Sequence, residues 1–266
     1  MSYVMYLTSD CNMKCKYCYE QTSRNKLENK ISITYDEIKK QLDDIYNNFN
    51  SDDNCLVLFG GEPTLEIDKI KYIIDYNNKQ TNKLVFHMNT NGLLLLNDKI
   101  YKFITELINN RILYMSISYD GSGQDNRILM NNKSSKKLID RVLNKLNKDN
   151  IPIFISYVIT ELNYKNIIKD TIYLIKKYNN ITKITFAYNY SEMDKIINIQ
   201  EHTDYIVEYF VYLYKKYNVS LCISDDKKVC NLCKKCNISD LKYIVKDKVI
   251  ERENKLNEGI FDLWDQ

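Results

Sequence analysis

Short apolar segments alternate six times with amphipathic helical segments along most of this chain. The predicted strands are Tyr3–Thr8, Cys55–Phe59, Leu84–Met88, Ile112–Ser118, Ile153–Ile159 and Lys183–Tyr188. Strands that are apolar on both faces are typical of a parallel sheet covered by helices. The chain has 266 residues, a length that a barrel of alternating strands and helices commonly reaches as one domain. The alternation therefore predicts an α/β fold built on parallel strands.

The segments between the strands carry helix signals. Thr34 is followed three residues later by Glu37, which is the spacing of a capping box. Apolar residues then recur at helical spacing at Ile38, Leu42 and Ile45. We expect a helix to begin at this point and to cover the sheet.

The first strand leads into CNMKCKYC, in which Cys11, Cys15 and Cys18 are separated by three and then two residues. A cubane iron–sulfur cluster has four irons, and cysteine is their usual outer ligand. Three cysteines can therefore hold such a cluster and leave one iron open for chemistry. The alternatives are a zinc knuckle or buried thiols. Zinc would lack a fourth ligand here, because the two histidines of the chain, His87 and His202, lie far away in the sequence.

Three more polar motifs follow predicted strands: GGEP at 60–63, NTNG at 89–92 and SISYDG at 116–121. Parallel sheets of this kind place their active sites at the carboxyl ends of their strands. Paired glycines permit close backbone approach, and the glutamate, asparagine, serine and aspartate side chains offer hydrogen-bonding groups. We therefore expect these motifs and the cysteine triplet to meet at one edge of the sheet.

Together the four motifs resemble those of the radical S-adenosylmethionine (radical SAM) enzymes, over roughly residues 3–190. The resemblance implies a partial (β/α)6 barrel and a [4Fe-4S] cluster held by Cys11, Cys15 and Cys18. It also implies that the open iron is chelated by the amino and carboxylate groups of S-adenosylmethionine (SAM).

The resemblance implies a set of SAM-binding residues as well. The aromatic ring before the last cysteine would lie near the adenine, and the GGE segment would bind the amino group. The asparagines would reach ribose or carboxylate oxygens, the serine would contact the cofactor, and the arginine would pair with the carboxylate. These residues are Tyr17, Gly60, Gly61, Glu62, Asn89, Asn91, Ser118, Asp120 and Arg127.

Four further cysteines stand near the C-terminus: Cys222, Cys230, Cys233 and Cys236. Four thiolates within a short stretch can close a metal site. With the hairpin-like run at 242–251, this cysteine-rich region resembles a short SPASM or twitch extension. We divide the chain into a barrel, residues 1–218, and this extension, residues 219–266, and expect one auxiliary [4Fe-4S] cluster. Structural zinc is the alternative, and Cys222 is either a ligand or a free thiol that donates hydrogen.

The resemblance implies an enzyme that cleaves SAM reductively to a 5′-deoxyadenosyl radical and abstracts hydrogen from a substrate. The extension favours a maturase of a ribosomally made peptide, which would form a crosslink or a thioether or epimerise a residue. Electrons would come from a donor such as flavodoxin or ferredoxin. Because nothing before Tyr3 could form a peptide-recognition domain, recognition of the leader peptide would rest on the barrel or on a separate protein. The alternatives are a maturase of a folded protein, an enzyme acting on a small molecule, and a non-catalytic metal-binding scaffold.

Composition and charge limit the classes of partner that we expect this protein to bind. The net charge is +3 and no dense basic block occurs, so nucleic-acid binding is not indicated. The sequence shows neither a signal peptide nor an apolar run of membrane-spanning length, which predicts a cytoplasmic protein without membrane attachment. Cytoplasmic thiols stay reduced, so clustered cysteines indicate metal binding and not disulfides.

Overall fold

A parallel sheet of seven strands forms the centre of the computed structural model, which describes residues 3–18, 31–49, 55–189, 206, 209–210 and 212–223. The strands pair in chain order, each parallel to the next. They are β1 (Tyr3–Thr8), β2 (Cys55–Gly60), β3 (Val85–Thr90), β4 (Leu113–Ser118), β5 (Ile153–Ile159), β6 (Ile181–Tyr188) and β7 (Ser220–Ile223). The predicted α/β class and the partial barrel are confirmed.

Helices occupy the connections between successive strands. They are α1 (Tyr35–Asn47), α2 (Ile67–Asn78), α3 (Asp98–Asn109), α4 (Lys136–Lys148) and α5 (Ile167–Lys177). The predicted capping box starts α1: the Glu37 backbone N–H donates to Thr34 Oγ1 at 3.2 Å, and the Thr34 N–H donates to Glu37 Oε2 at 2.8 Å. These two bonds satisfy backbone groups that would otherwise be unpaired at the helix start.

The two faces of the sheet differ in their burial. On β5, Ile153, Ile155, Tyr157 and Ile159 are buried, whereas the three residues between them are only half-buried. The buried face joins the apolar sides of the helices in one hydrophobic core. We call the opposite face the inner face. The strands were expected to be apolar on both sides, but the inner face carries polar residues such as His87 and Lys183.

The seventh strand extends the sheet beyond the six expected ones. SLCI was expected to be strand-like within the cysteine-rich extension, and the structure pairs it with β6, placing Cys222 opposite Thr185. Cys230, Cys233, Cys236 and the expected hairpin lie outside the described residues, so the division at residue 218 remains a prediction. No helix in the described part of the chain is long and apolar enough to cross a membrane.

Candidate active site

The cysteine loop, residues 9–18, leaves the carboxyl end of β1 and is held by the segment that follows β4. The Lys14 N–H donates to Ile128 O at 2.9 Å, and the Lys16 N–H donates to Asn126 O at 2.9 Å. Within the loop, the Cys18 N–H donates to Cys15 O at 3.1 Å. The three cysteines are half-buried and no disulfide joins them. Main-chain bonds from a distant part of the chain therefore shape the loop.

Gly60 and Gly61 allow the end of β2 to approach the start of this loop. The Gly61 N–H donates to Thr8 O at 2.7 Å, and the Glu62 N–H donates to Asp10 O at 2.8 Å. A Cβ atom on Gly61 would lie 2.3 Å from Asp10 O, and one on Gly60 would lie 2.4 Å from Thr8 O. Both obstacles are backbone atoms, so a side chain at either position would displace the chain that leads into the cysteine loop.

Glu62 joins the loops that follow β2 and β3. Its side chain is buried, and Oε1 accepts hydrogen bonds from Thr64 Oγ1 at 2.5 Å and Thr90 Oγ1 at 2.6 Å. Oε2 accepts from the Asn91 N–H at 2.8 Å. Burial raises the pKa of Glu62, and these hydrogen bonds oppose the rise. Oε2 keeps acceptor capacity for one more donor, such as the amino group of SAM.

Asn91 connects the same loop to the cysteines. Its Nδ2 donates to Asn12 Oδ1 at 2.7 Å and lies 3.9 Å from Cys11 Sγ. In the structure this side chain holds the cysteine loop, and its expected contact with ribose or carboxylate oxygens of SAM stays a prediction. Asn89 and Ser118 are half-buried on the inner face, near the carboxyl ends of β3 and β4.

Asp120 and Arg127 form a buried ion pair beneath Tyr17. Arg127 Nε lies 2.8 Å from Asp120 Oδ2, and its terminal nitrogen NH2 lies 3.1 Å from Oδ1. Tyr17 donates its hydroxyl to the same carboxylate, and the centre of the guanidinium lies 5.4 Å from the Tyr17 ring centroid. Burial disfavours the charge on Arg127, but Asp120, Tyr17 and Cys15 together outweigh burial and raise the arginine pKa. Arg127 thus already has an anionic partner, and its remaining N–H groups are those that could reach a cofactor carboxylate.

The pKa of Cys15 bears on metal binding, because cysteine binds a metal as the thiolate. Burial raises the pKa of Cys15 to about 11, Arg127 opposes the rise, and Asp120 and the neighbouring cysteines add to it. The thiol is therefore protonated until a metal displaces the proton. Among the described residues, no three His, Cys, Asp or Glu side chains are close enough to hold a single metal ion. A cubane does not require such convergence, because each thiolate binds a different iron.

Most of the expected site residues meet at this edge of the sheet, and several partners were missed. Thr64 and Thr90 hold Glu62, Asn12 holds Asn91, and Asn126 holds the cysteine loop. Thr64 and Thr90 stand directly beside or within the GGEP and NTNG motifs, which was the available signal. Cys222 lies elsewhere, on the inner face of β7, with its sulfur 3.4 Å from Thr185 Oγ1.

Three known proteins resemble this chain in sequence. The protein MJ0907 of Methanocaldococcus jannaschii is 28% identical over 73% of this chain and 69% of that protein. Fe-coproporphyrin III synthase of Methanosarcina barkeri is 28% identical over 62% of this chain and 38% of its own. The radical SAM cyclopropyl synthase TigE of Paramaledivibacter caminithermalis is 23% identical over 66% and 39%. The chain thus spans less than half the length of the two named enzymes.

Solved structures share the fold. The enzyme anSMEcpe with bound AdoMet and Cp18Cys peptide superposes with a TM-score of 0.67 at 19% identity, over 83% of this chain and 62% of that one. Streptococcus suis SuiB bound to its precursor peptide SuiA gives a TM-score of 0.61 at 19% identity, over 85% and 49%. The family model of the radical SAM superfamily matches residues 5–169, which include all four motifs. This chain is an enzyme of the radical SAM superfamily.

Proposed function

We propose that this enzyme modifies a ribosomally made peptide by abstracting a hydrogen atom from it. The observation that carries the proposal is the set of hydrogen bonds that draws the loops after β1, β2, β3 and β4 around three thiols. The fold is shared with two enzymes solved with peptides bound. These likenesses favour a peptide substrate.

The chain's own residues bind and orient the reactants. Cys11, Cys15 and Cys18 would hold a [4Fe-4S] cluster, and Glu62 would accept a hydrogen bond from the amino group of SAM. When bound, the cluster and SAM supply a 5′-deoxyadenosyl radical after one-electron reduction. Tyr17 is fixed by Asp120 beside the last cysteine, where its ring can pack against the adenine. The walls of the barrel would exclude water from the radical.

We also propose the auxiliary cluster on Cys222, Cys230, Cys233 and Cys236, an external electron donor such as flavodoxin or ferredoxin, and a separate leader-binding protein. Only Cys222 of these four cysteines lies among the described residues, on β7. Iron and zinc analysis of the purified protein distinguishes this cluster from a structural zinc ion bound by the same cysteines.

Co-expression tests the peptide substrate. The enzyme is produced anaerobically with each small peptide encoded beside it, and each peptide is analysed by mass spectrometry. We expect a mass change that requires the enzyme and disappears when Cys11, Cys15 and Cys18 are replaced with alanine. Active SAM cleavage with every neighbouring peptide unchanged would contradict the proposal.

A small-molecule substrate is the second candidate. It is favoured by the similarity to Fe-coproporphyrin III synthase, which covers 62% of this chain. Metabolite analysis of the same cultures distinguishes the two candidates. A low-molecular-weight product that depends on the three cysteines, without a modified peptide, would favour this second function.

A further inference from the structure

The described strands of the sheet carry one charged side chain at neutral pH. Lys183 is that residue, and none of the seven strands contains Asp or Glu. It lies on the inner face, since Ser116 pairs with Phe154 and Phe154 pairs with Lys183, and paired residues of neighbouring strands share a face. A single cation thus stands on the surface that faces away from the helices.

Four residues, His87, Ser116, Phe154 and Lys183, form what we call the inner-face cluster. Lys183 Nζ lies 5.8 Å from the Phe154 ring centroid, and that ring lies 6.2 Å from the centroid of His87. His87 Nε2 is 2.9 Å from Ser116 Oγ. The exposed Tyr114 stacks on Phe154 with centroids 5.9 Å apart. The cluster therefore offers an ammonium group, an imidazole and a hydroxyl beside two aromatic rings.

The cluster has a positive charge without a described counterion. Burial lowers the pKa of His87 and the charge of Lys183 lowers it further, so the imidazole is neutral at pH 7. No described carboxylate forms an ion pair with Lys183, although it is only half-exposed. A partly desolvated ammonium beside uncharged groups is stabilised by an anion that binds next to it.

The cluster lies close to the candidate active site. Ser118 pairs with Ser156, and Ser156 pairs with Thr185, so these three residues form a row beside the carboxyl end of β4. Lys183 precedes Thr185 by two residues on β6 and shares its face. At about 3.3 Å per residue, Lys183 lies roughly 6.6 Å further along the strand, away from the cofactor edge. Two strand spacings of about 4.8 Å each also separate Ser118 from Thr185, so a substrate that spans this row can reach Lys183 with a side chain or a chain end.

We infer that Lys183 and its cluster bind a carboxylate group of the peptide substrate. The inference rests on the proposed peptide-modifying function for the kind of molecule that carries this group. The carboxylate has two sources, an Asp or Glu side chain or the C-terminus of the peptide. In either case the ammonium supplies the charge, the imidazole and the hydroxyl supply hydrogen bonds, and the aromatic rings pack against the adjoining methylene groups.

Three short probe peptides test this directly. One has a single Glu and an amidated C-terminus, one has Gln and a free C-terminal carboxylate, and one has Gln and an amidated C-terminus. Their dissociation constants are measured calorimetrically with the reconstituted holoenzyme and SAM, without turnover. We expect at least one carboxylate probe to bind about tenfold or more tightly than the neutral probe, as for a hydrogen bond to a charged group. The probe that gains affinity identifies the source.

Variants separate recognition from folding. Lys183→Met keeps the length of the side chain and should abolish the preference, whereas Lys183→Arg should retain it. Lys137→Met removes an exposed lysine on α4 and should change nothing. In the wild type, the bound carboxylate should also raise the pKa of His87, observed by NMR of its imidazole, because it offsets the charge of Lys183.

Equal affinity for the three probes, no binding of any of them, or a preference that survives Lys183→Met would overturn the inference. Because the measurement needs no product, it is independent of peptide modification. Carboxylate binding through Lys183 together with unmodified peptides in co-expression would leave this site standing and remove the proposed maturase function. Modified peptides in co-expression, together with equal affinities for the three probes, would support the maturase function and exclude the carboxylate site at Lys183.

Discussion

Asp120 is fully buried and joins three separate parts of the chain through one carboxylate. Arg127 comes from its own loop, Tyr17 from the cysteine loop and the Val158 N–H from β5, at 2.9 Å from Oδ1. A buried charge pair contributes little net stability, but removal of one partner leaves the other uncompensated. Asp120 therefore matters most for keeping Tyr17 and the cysteine loop in position.

We expect Asp120→Asn to lower the free energy of unfolding by about 3–5 kcal/mol, because Arg127 would be left buried without a counterion. Urea denaturation of the anaerobic apoprotein measures this change. Asp98→Asn is the matched control, since its pair with Lys145 is on the surface and should contribute nothing measurable. The double variant Asp120→Asn/Arg127→Met should recover part of the loss. Equal midpoints for the Asp120 and Asp98 variants would contradict this account.

Glu62→Ala should weaken SAM binding roughly tenfold to hundredfold, since a hydrogen bond to a charged group contributes about 1.5–3 kcal/mol. The cluster should remain, because Glu62 is not one of its proposed ligands. Equilibrium binding of SAM and iron analysis of the same preparation measure both quantities. Glu106→Ala, an exposed position on α3, is the control. An unchanged SAM dissociation constant would refute the assignment of Glu62.

At the scale of the elements, local sequence patterns predicted the strands and the polar residues at their ends. They did not predict which distant residues these polar groups bind. The capping box at Thr34 and the strand at 153–159 are local signals, and both are present as expected. The bonds from Thr90 to Glu62 and from Asp120 to Tyr17 depend on which strands are neighbours, which no local pattern encodes. β7 was recognised as strand-like, but a short apolar segment does not reveal the sheet that it joins.

The close contact between the ends of β1 and β2 predicts what a side chain at Gly61 would do to stability and iron content. Gly61→Ala would place a methyl group 2.3 Å from Asp10 O, so the backbone that enters the cysteine loop has to move. We expect a loss of about 1–3 kcal/mol in unfolding free energy, as for other overpacked sites, and poor iron retention. In Gly92→Ala the nearest atom is the flexible Ile117 side chain at 3.2 Å. The left-handed φ of +77° makes this variant less stable as well, but no backbone of the cysteine loop has to move, so iron should be retained. Equal iron contents in the two variants would contradict the argument.

The described part of the molecule is an open barrel that has the candidate cofactor site at one edge and a polar inner face. The cysteine loop belongs to this edge, while Cys222 lies on the inner face of the last described strand. The superfamily and the barrel were predictable because four motifs occur at four strand ends. The polar inner face was missed because the strands were expected to be apolar on both sides, although buried Phe86 and Met88 alternate with half-buried His87 and Asn89 along β3.

Metal analysis tests the two cysteine groups together. The anaerobically reconstituted protein should hold about eight irons, in two cubanes. Replacement of Cys11, Cys15 and Cys18 with alanine should leave about four and abolish SAM cleavage. Cys222→Ala should lower the iron content if Cys222 is a ligand. Retained iron with SAM cleavage uncoupled from product would instead make Cys222 a hydrogen donor on the inner face, and zinc in the second site would exclude the auxiliary cluster.

The bonds between the cysteine loop and the segment after β4 have a consequence for biosynthesis. Tyr17 and Asp120 are 103 residues apart in the chain. At a synthesis rate of about 5–20 residues per second, roughly 5–20 seconds pass between the two. During that interval the nascent thiols lack the main-chain bonds that later hold them. We therefore expect cluster insertion to follow the synthesis of the segment after β4, which supplies the main-chain bonds that shape the cysteine loop.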